Sequence, residues 1–435
     1  MKLYKMIQPD FIPKVNIDEY HYELPKDRIA EYPLEDRSAS KLLYADVKTK
    51  KITHHKFYEL AELLRSDTLL VMNTTKVIPA RIFLKKPTGG IIELLLVEPA
   101  NFNLNEIAVN KVSKNSDPQI ALLSKGESCW LCIVGGKRVK EKMLLKENYG
   151  DDFTITAEIL SRRENEAIVK FRWLPDNITF SEMLLKTGKV PLPPYINRDV
   201  RLEDKKWYQT VYAKADGSVA APTAGFHFTD EILNQLKNKN IITENIVLHV
   251  GPGTFTPIDV DDVFRHEMHS ERISISLDSI NNIIKYLRNN ETKGLIAVGT
   301  TTLRTLESLY WIGCKILFNI YNENDIFTLN QWDSYEIEAK YELPDSLESL
   351  KSIINFLTEK NQTEITAKTS LFIIPGYKFK IVNGLITNYH LPKSTLILLV
   401  AAFTGKELWR EIYSSALNNN YRFLSYGDSS LITNY

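Results

Sequence analysis

The stretch Gly294–Trp311, GLIAVGTTTLRTLESLYW, decides the fold class. An apolar run of strand length ends at Gly299, and three threonines then open a helix. The same alternation continues on both sides. Before it lie the helix SEMLLKTG, the loop VPLPPYINR, the helix TDEILNQLKN, the strand ENIVLHV and the helix SINNIIKYLRN. After it come SLESLKSIINFL, LFIIP, the hairpin-like FKIVNGLITNY, PKSTLILLVAAFTG and a final helix KELWREIYSSAL. Strand and helix in turn imply βαβ units and a largely parallel sheet in a layered α/β domain.

Nearer the N-terminus, KLLYADVKTKKITHH reads as two short strands around a polar turn. FYELAELLRS follows as a helix, and TLLVMN as a buried strand ending at Asn73. From about Ile78 to Trp173 the texture changes. ARIFLKK, IIELLLVEP, CWLCIVGG, FTITAEIL and AIVKFRW are short strand-like runs separated by turn residues such as Gly89-Gly90, with no convincing amphipathic helix among them. Closely spaced strands inside a mixed chain predict a small β-barrel inserted in the α/β domain. The boundaries expected are 1–77 and 175–435 for the α/β part and 78–174 for the barrel.

With 435 residues the chain is too long for one ordinary core. Lys+Arg and Asp+Glu balance at 54 each, so no bulk field draws the protein onto nucleic acid and a polyanion must be met by a local patch. Three cysteines in this length exclude a secreted disulfide scaffold and suit a reducing cytosol. The opening MKLYKMIQPDFIPKV has no continuous apolar segment, and TLILLVAAF is about half of a bilayer span. A cytoplasmic protein without membrane contact is expected.

Several motifs bear chemistry. Thr300 and Thr301 stand at a helix N-terminus suited to an anion, with the cation Arg304 one turn in; a well-capped helix is the alternative. His249 lies near a strand end running into Gly-Pro-Gly-Thr, whose Gly253 lets a backbone approach a ligand. RHEMHSERISI gathers His266, Glu267, His269 and Glu271, but the second histidine falls one residue short of a zinc helix, so acid/base or hydrogen-bonding roles are preferred over a metal. Cys129 and Cys132 fall on opposite faces of a strand and read as buried thiols. Basic residues including Arg198, Arg201, Lys205 and Lys206, near Tyr195, Trp207, Tyr208 and Tyr212, are either a solvated face or a surface that tracks phosphates and stacks bases. In KADGSVAAPTAGFHFTDEIL, Ala220, Ala221, Thr223, Ala224 and Gly225 offer a bare wall, with His227 at its end.

Nine blocks occur in order: YELPKDRIAEYPLEDRSASKLL, NTTKVIPAR, GKVPLPPYINR, YQTVYAKADGSVAAPTAGFHFT, LHVGPGTF, HEMHSE, AVGTTTLRTLES, TNYHLPKSTL and RFLSYGDSSLI. Together they make the chain resemble the S-adenosylmethionine:tRNA ribosyltransferase-isomerase family of queuosine biosynthesis over nearly its whole length. The resemblance implies an α/β domain with an inserted barrel, and transfer and isomerisation of the ribosyl part of S-adenosylmethionine onto the 7-aminomethyl-7-deazaguanine wobble base of tRNA. Epoxyqueuosine-tRNA, adenine and methionine would be the products. S-adenosylmethionine is then a co-substrate, no other cofactor and no metal is expected, the partner is the tRNA anticodon arm, and the protein is expected as a monomer or weak dimer. It assigns His227, His249, His269 and Glu271 to proton transfer and orientation without singling out the base. Thr300, Thr301 and Arg304 would hold the methionine carboxylate; Asn73, Arg81, Tyr208 and Gln209 the ribose or modified base; and Thr223, Gly225, Gly253 and His390 complete the substrate site. Where the family's pattern is Asn-Asp-Thr-Arg, this chain has Asn73-Thr74-Thr75-Lys76, with Lys76 a point charge where a bidentate Arg is usual. Two other readings stand beside this one: a noncatalytic tRNA-binding relative, and a paralogue acting on a different 7-deazapurine.

Overall fold

The computed structural model describes residues 8–100, 118–249, 251, 258, 260, 262–289, 294–322 and 327–435. Its strands are, before the barrel, β1 (Lys41–Asp46), β2 (Ile52–Lys56), β3 (Leu69–Asn73) and β4 (Thr75–Val77). The barrel comprises β5 (Arg81–Lys85), β6 (Ile91–Pro99), β7 (Glu127–Gly135), β8 (Leu144–Asn148), β9 (Thr154–Arg163) and β10 (Glu166–Leu174). After it come β11 (Ala215–Ser218), β12 (Ile242–His249), β13 (Glu271–Ser276), β14 (Leu295–Val298), β15 (Phe327–Leu329), β16 (Glu364–Thr369), β17 (Gly384–Asn388) and β18 (Ser429–Thr433).

A ten-stranded sheet in the order β15-β16-β13-β12-β3-β14-β17-β18-β1-β2 forms the α/β part. Its centre, β12-β3-β14-β17, is parallel. Every residue of β3, β14 and β17 is buried, as strands covered on both faces must be, and this is why β14 and most of β3 read as apolar runs. Outside this centre the sheet is mixed, with β1·β18 and β15·β16 also parallel. The junctions β13·β12, β16·β13, β17·β18 and β1·β2 are antiparallel, and β13 and β16 alternate buried with half-exposed residues, the pattern of strands with one covered face.

The hairpin expected in FKIVNGLITNY is absent, since only β17 is a strand there. The backbone N–H groups of Lys380, Ile381 and Val382 donate instead to the carboxylate of Glu307, which also accepts from the Tyr377 hydroxyl. Four donors satisfy a carboxylate buried in the core, and they take the N–H groups a hairpin would have used.

The six barrel strands close in the order β10-β7-β6-β5-β8-β9. In β7, β9 and β10 every second residue is buried, which sends Trp130, Cys132, Ile155, Ala157, Ile159, Val169 and Phe171 inward. Cys129 faces the other way, half-buried. A short helix, Pro118–Leu123, departs from the all-strand expectation for this region and contributes Leu122 to the barrel core. The helix Phe180–Thr187 starts in a Thr179/Glu182 capping box and packs Phe180 into the barrel core, its ring stacked 5.4 Å from Trp130. Among the described residues no helix is long and apolar enough to cross a membrane.

The helix Thr300–Leu317 is buried from Thr300 through Cys314, which makes it the core helix of the α/β part. It crosses the helix Ser346–Glu359 at Gly313, where a Cβ would lie 2.2 Å from the Ser349 carbonyl oxygen. Gly313→Ala is therefore expected to force the two helices apart and to cost about 1–3 kcal/mol. Urea unfolding measures it, and an unchanged midpoint would contradict this packing.

Candidate active site

β14 and β17 lie side by side and parallel, yet the chain leaves them in opposite directions. From β14 it passes through Thr300–Leu317 to β15 at one edge; from β17 it passes through Thr395–Thr404 and Lys406–Asn418 to β18 on the other side. Such a reversal opens a crevice at the carboxyl ends of the strands, where open α/β sheets bind ligands. Here it is a cleft of about 670 Å³, counting its mouth. Gly299–Thr301 line it from β14 and Thr387–Leu391 from β17, Ala220–Ala224 form a wall, and Tyr195, Ser394, Leu396, Leu424 and Ser425 complete it. No Asp, Glu, Lys or Arg is among these lining residues.

The cleft's strongest electrostatic feature is a helix end. Gly299, at φ +96°, turns the chain into Thr300–Leu317, and no side chain caps the first N–H groups. Eighteen residues of aligned peptide dipoles place roughly half a positive charge there, beside the Thr300 and Thr301 hydroxyls. His390 lines the cleft with its Nε2 2.9 Å from the Thr387 hydroxyl, and burial drives its pKa down to about 3, so the ring is neutral. Tyr195 and Ser425 share a 2.7 Å hydroxyl–hydroxyl bond at the wall.

Of the residues singled out in the sequence, Tyr195, Ala220, Ala221, Thr223, Ala224, Thr300, Thr301 and His390 meet in this cleft. Arg304 does not line it. Its guanidinium is buried and bonded to the Glu271 carboxylate, so the residue expected to hold the methionine carboxylate and one expected to serve proton transfer and orientation hold each other, joining the core helix to β13. His227 stands behind the wall, packed on Phe57 at 4.9 Å with both ring nitrogens engaged. His269 and Glu267 are exposed, while His266 packs on Phe372. Among the described residues, those of HEMHSE thus have different surroundings.

Asn73 is fully buried and spends its carboxamide on the Leu248 and Thr75 backbone, tying β3 to β12. Gln209 brackets both backbone groups of Val77. Arg81 pairs with Glu93 at 2.9 Å on the outer face of the barrel, where both side chains are partly exposed. Tyr208 is buried edge-on between Phe226 and Tyr426. Gly225 is not in the lining; a Cβ there would lie 1.9 Å from the Tyr212 hydroxyl, so the glycine serves packing. The His249 side chain and Gly253 lie outside the described residues. The basic and aromatic cluster is also mostly committed: Arg198 is ion-paired with the buried Asp204 at 2.7 Å, Arg201 lies over the Tyr32 ring, and Tyr212 is ringed by the core. Lys76 is exposed, 3.6 Å from Asp216, and none of Asn73–Lys76 lines the cleft.

Thr387, Asn388, Ser394 and Ser425 were not anticipated. They occur within TNYHLPKSTL and RFLSYGDSSLI, but uncharged residues in those blocks gave no chemical signal beside a histidine.

Burial, reinforced by the nearby Arg422 and Arg37 charges, drives the His227 pKa to about 3 from its ordinary 6.5. The folded state is neutral where the unfolded state takes up a proton, so this contribution is complete above about pH 6.5. It is lost as pH falls toward 3, at up to about 1.4 kcal/mol per pH unit. His227→Gln is expected to flatten the fall in urea midpoint between pH 6.5 and 4.5; an unaltered slope would contradict the assignment.

The chain matches the family described as "Queuosine biosynthesis protein" over residues 17–432. It is 38% identical over 424 residues to the S-adenosylmethionine:tRNA ribosyltransferase-isomerase of Thermotoga petrophila, covering 96% of this chain and 100% of that one. It is 36% identical to the enzyme of the same name from Clostridioides difficile, covering 95% and 98%. A crystal structure of S-adenosylmethionine tRNA ribosyltransferase from Thermotoga maritima aligns over 95% of this chain and 99% of that one, at 28% identity with a TM-score of 0.43. With relatives this similar along almost its full length, the chain belongs to the S-adenosylmethionine:tRNA ribosyltransferase-isomerase family of queuosine biosynthesis enzymes.

Proposed function

We propose that this chain transfers and isomerises the ribosyl part of S-adenosylmethionine onto the 7-aminomethyl-7-deazaguanine wobble base of tRNA, releasing adenine and methionine and leaving epoxyqueuosine. One observation carries the reading: an uncharged cleft at the β14–β17 reversal with an uncapped helix end on one side and a flat alanine wall on the other. A substrate with a carboxylate at one end and a planar base at the other suits that pairing. The helix N-terminus with Thr300 and Thr301 takes the methionine carboxylate, while Ala220–Ala224, Leu391 and Leu424 face the nucleoside.

The sulfonium acidifies the neighbouring C5′ hydrogens, so removal of one proton opens the ribose and lets adenine leave. The attacking group is the amine of the RNA base. No lysine or cysteine is among the residues lining the cleft, so no protein amine or thiol competes for the ribosyl carbon there. Among the imidazoles named from the sequence and described here, His390 is the one that faces the cleft, in its neutral form.

The test is to incubate the protein with S-adenosylmethionine and tRNA bearing the aminomethyl-deazaguanine base. Adenine and methionine should appear together with a ribosyl-sized mass gain on the anticodon fragment. If a Thermotoga relative turns over in parallel and this chain does not, the reading fails. Binding of tRNA should weaken steeply with salt, whereas salt-insensitive binding of the free base would favour a small 7-deazapurine substrate. Thr301→Val, which removes one hydroxyl at constant shape, is expected to raise KM for S-adenosylmethionine about tenfold with kcat little changed.

A further inference from the structure

Asn388 ends β17 inside the cleft, and its carboxamide is held from three sides. Its Oδ1 accepts from the Thr223 hydroxyl at 2.9 Å. Its Nδ2 donates to the backbone carbonyl of Asp428 at 3.4 Å and to His227 Nε2 at 3.3 Å. A carbonyl only accepts, so the nitrogen of the carboxamide must face Asp428, which fixes the orientation of the amide. His227 Nε2 must then be the acceptor, its proton sits on Nδ1, and Nδ1 donates to Ser40 Oγ at 2.8 Å. Ser40, His227 and Asn388 are all buried. The chain Ser40–His227–Asn388 therefore spends both donors of the amide inside the protein, while its oxygen accepts from Thr223, which lines the cleft with Asn388.

We propose that Asn388 Oδ1 binds a hydrogen-bond donor of S-adenosylmethionine, and that His227 and Ser40 are positioning residues that set the carboxamide for this contact. No Asp or Glu lines the cleft, so this oxygen is a fixed side-chain acceptor close to the helix end. The inference rests on the proposed function and gives His227 a different part from proton transfer. An imidazole whose two nitrogens are both engaged, one accepting from Asn388 and one donating to Ser40, has no lone pair to offer a substrate proton.

S-adenosylmethionine binding by calorimetry, with adenine release from the charged reaction, tests it. Asn388→Ala is expected to weaken binding about tenfold, and His227→Ala by a similar factor, both through KM more than kcat. The double variant should bind no more weakly than Asn388→Ala alone, since both act through one contact. His227→Gln, which can keep an acceptor toward Asn388 without a titratable ring, should restore binding to within about threefold of wild type and retain kcat. Asn388→Leu, similar in volume, replaces the alanine variant if that one fails to fold by circular dichroism.

Wild-type affinity in both Asn388 variants would overturn the proposal. So would a His227→Gln protein that binds normally but has lost turnover as fully as His227→Ala, because that marks His227 as the proton carrier. Failure of the wild type to bind S-adenosylmethionine would instead sink the proposed function, and this contact with it.

Discussion

The parallel pairing of β14 with β17 sets the two sides of the cleft that carry Gly299–Thr301 and Thr387–Leu391, because both strands deliver their next residues to the same place. Ile296, Ala297 and Val298 run in register with Gly384, Leu385 and Ile386. The register depends on a missing side chain: a Cβ on Gly384 would lie 2.5 Å from Ile296 Cγ1. With the strands so matched, Gly299–Thr301 and Thr387–His390 emerge together and the core helix points its N-terminus into the gap. The opposite departures of the two chains keep the gap open.

Elsewhere the protein buries several polar and charged groups that are matched within the fold. Glu307 collects three backbone N–H groups and a phenol, Arg304 and Glu271 neutralise each other, Asp204 holds Arg198, and Asn73 substitutes for missing strand bonds. Each removes a desolvation penalty that an unmatched group would impose. Costly polar clusters are therefore not by themselves a mark of catalysis in this chain. What distinguishes the cleft is the reverse: helix N–H groups without a side-chain cap, beside a space with no charged side chain in its lining.

Much of the architecture was legible because it depends on local patterns. The barrel strands β7, β9 and β10 alternate, the capping residues Thr179, Thr229, Asp345 and Ser394 sit where helices begin, and β14 and most of β3 are apolar. β13, β16 and β18 were not read as strands, since RISIS and EITAKT carry polar residues on their open faces and SSLIT begins with two serines. FKIV was misread because its N–H groups are claimed by a glutamate more than seventy residues away in the chain.

The sequence by itself determined the family, the α/β class, the inserted barrel, the helix end at Thr300 and the bare alanine wall, since each is carried by residues close together in the chain. The tertiary structure alone decided which polar residues meet. Glu271 is thirty-three positions from Arg304, His227 lies 187 from Ser40 and 161 from Asn388, and no local pattern encodes such partners. A side chain's chemistry follows from what surrounds it after burial, through the cost of leaving a donor or charge unmatched. That cost, settled only when the sheet closes, set His227 between Ser40 and Asn388 and brought an unremarked asparagine into the cleft.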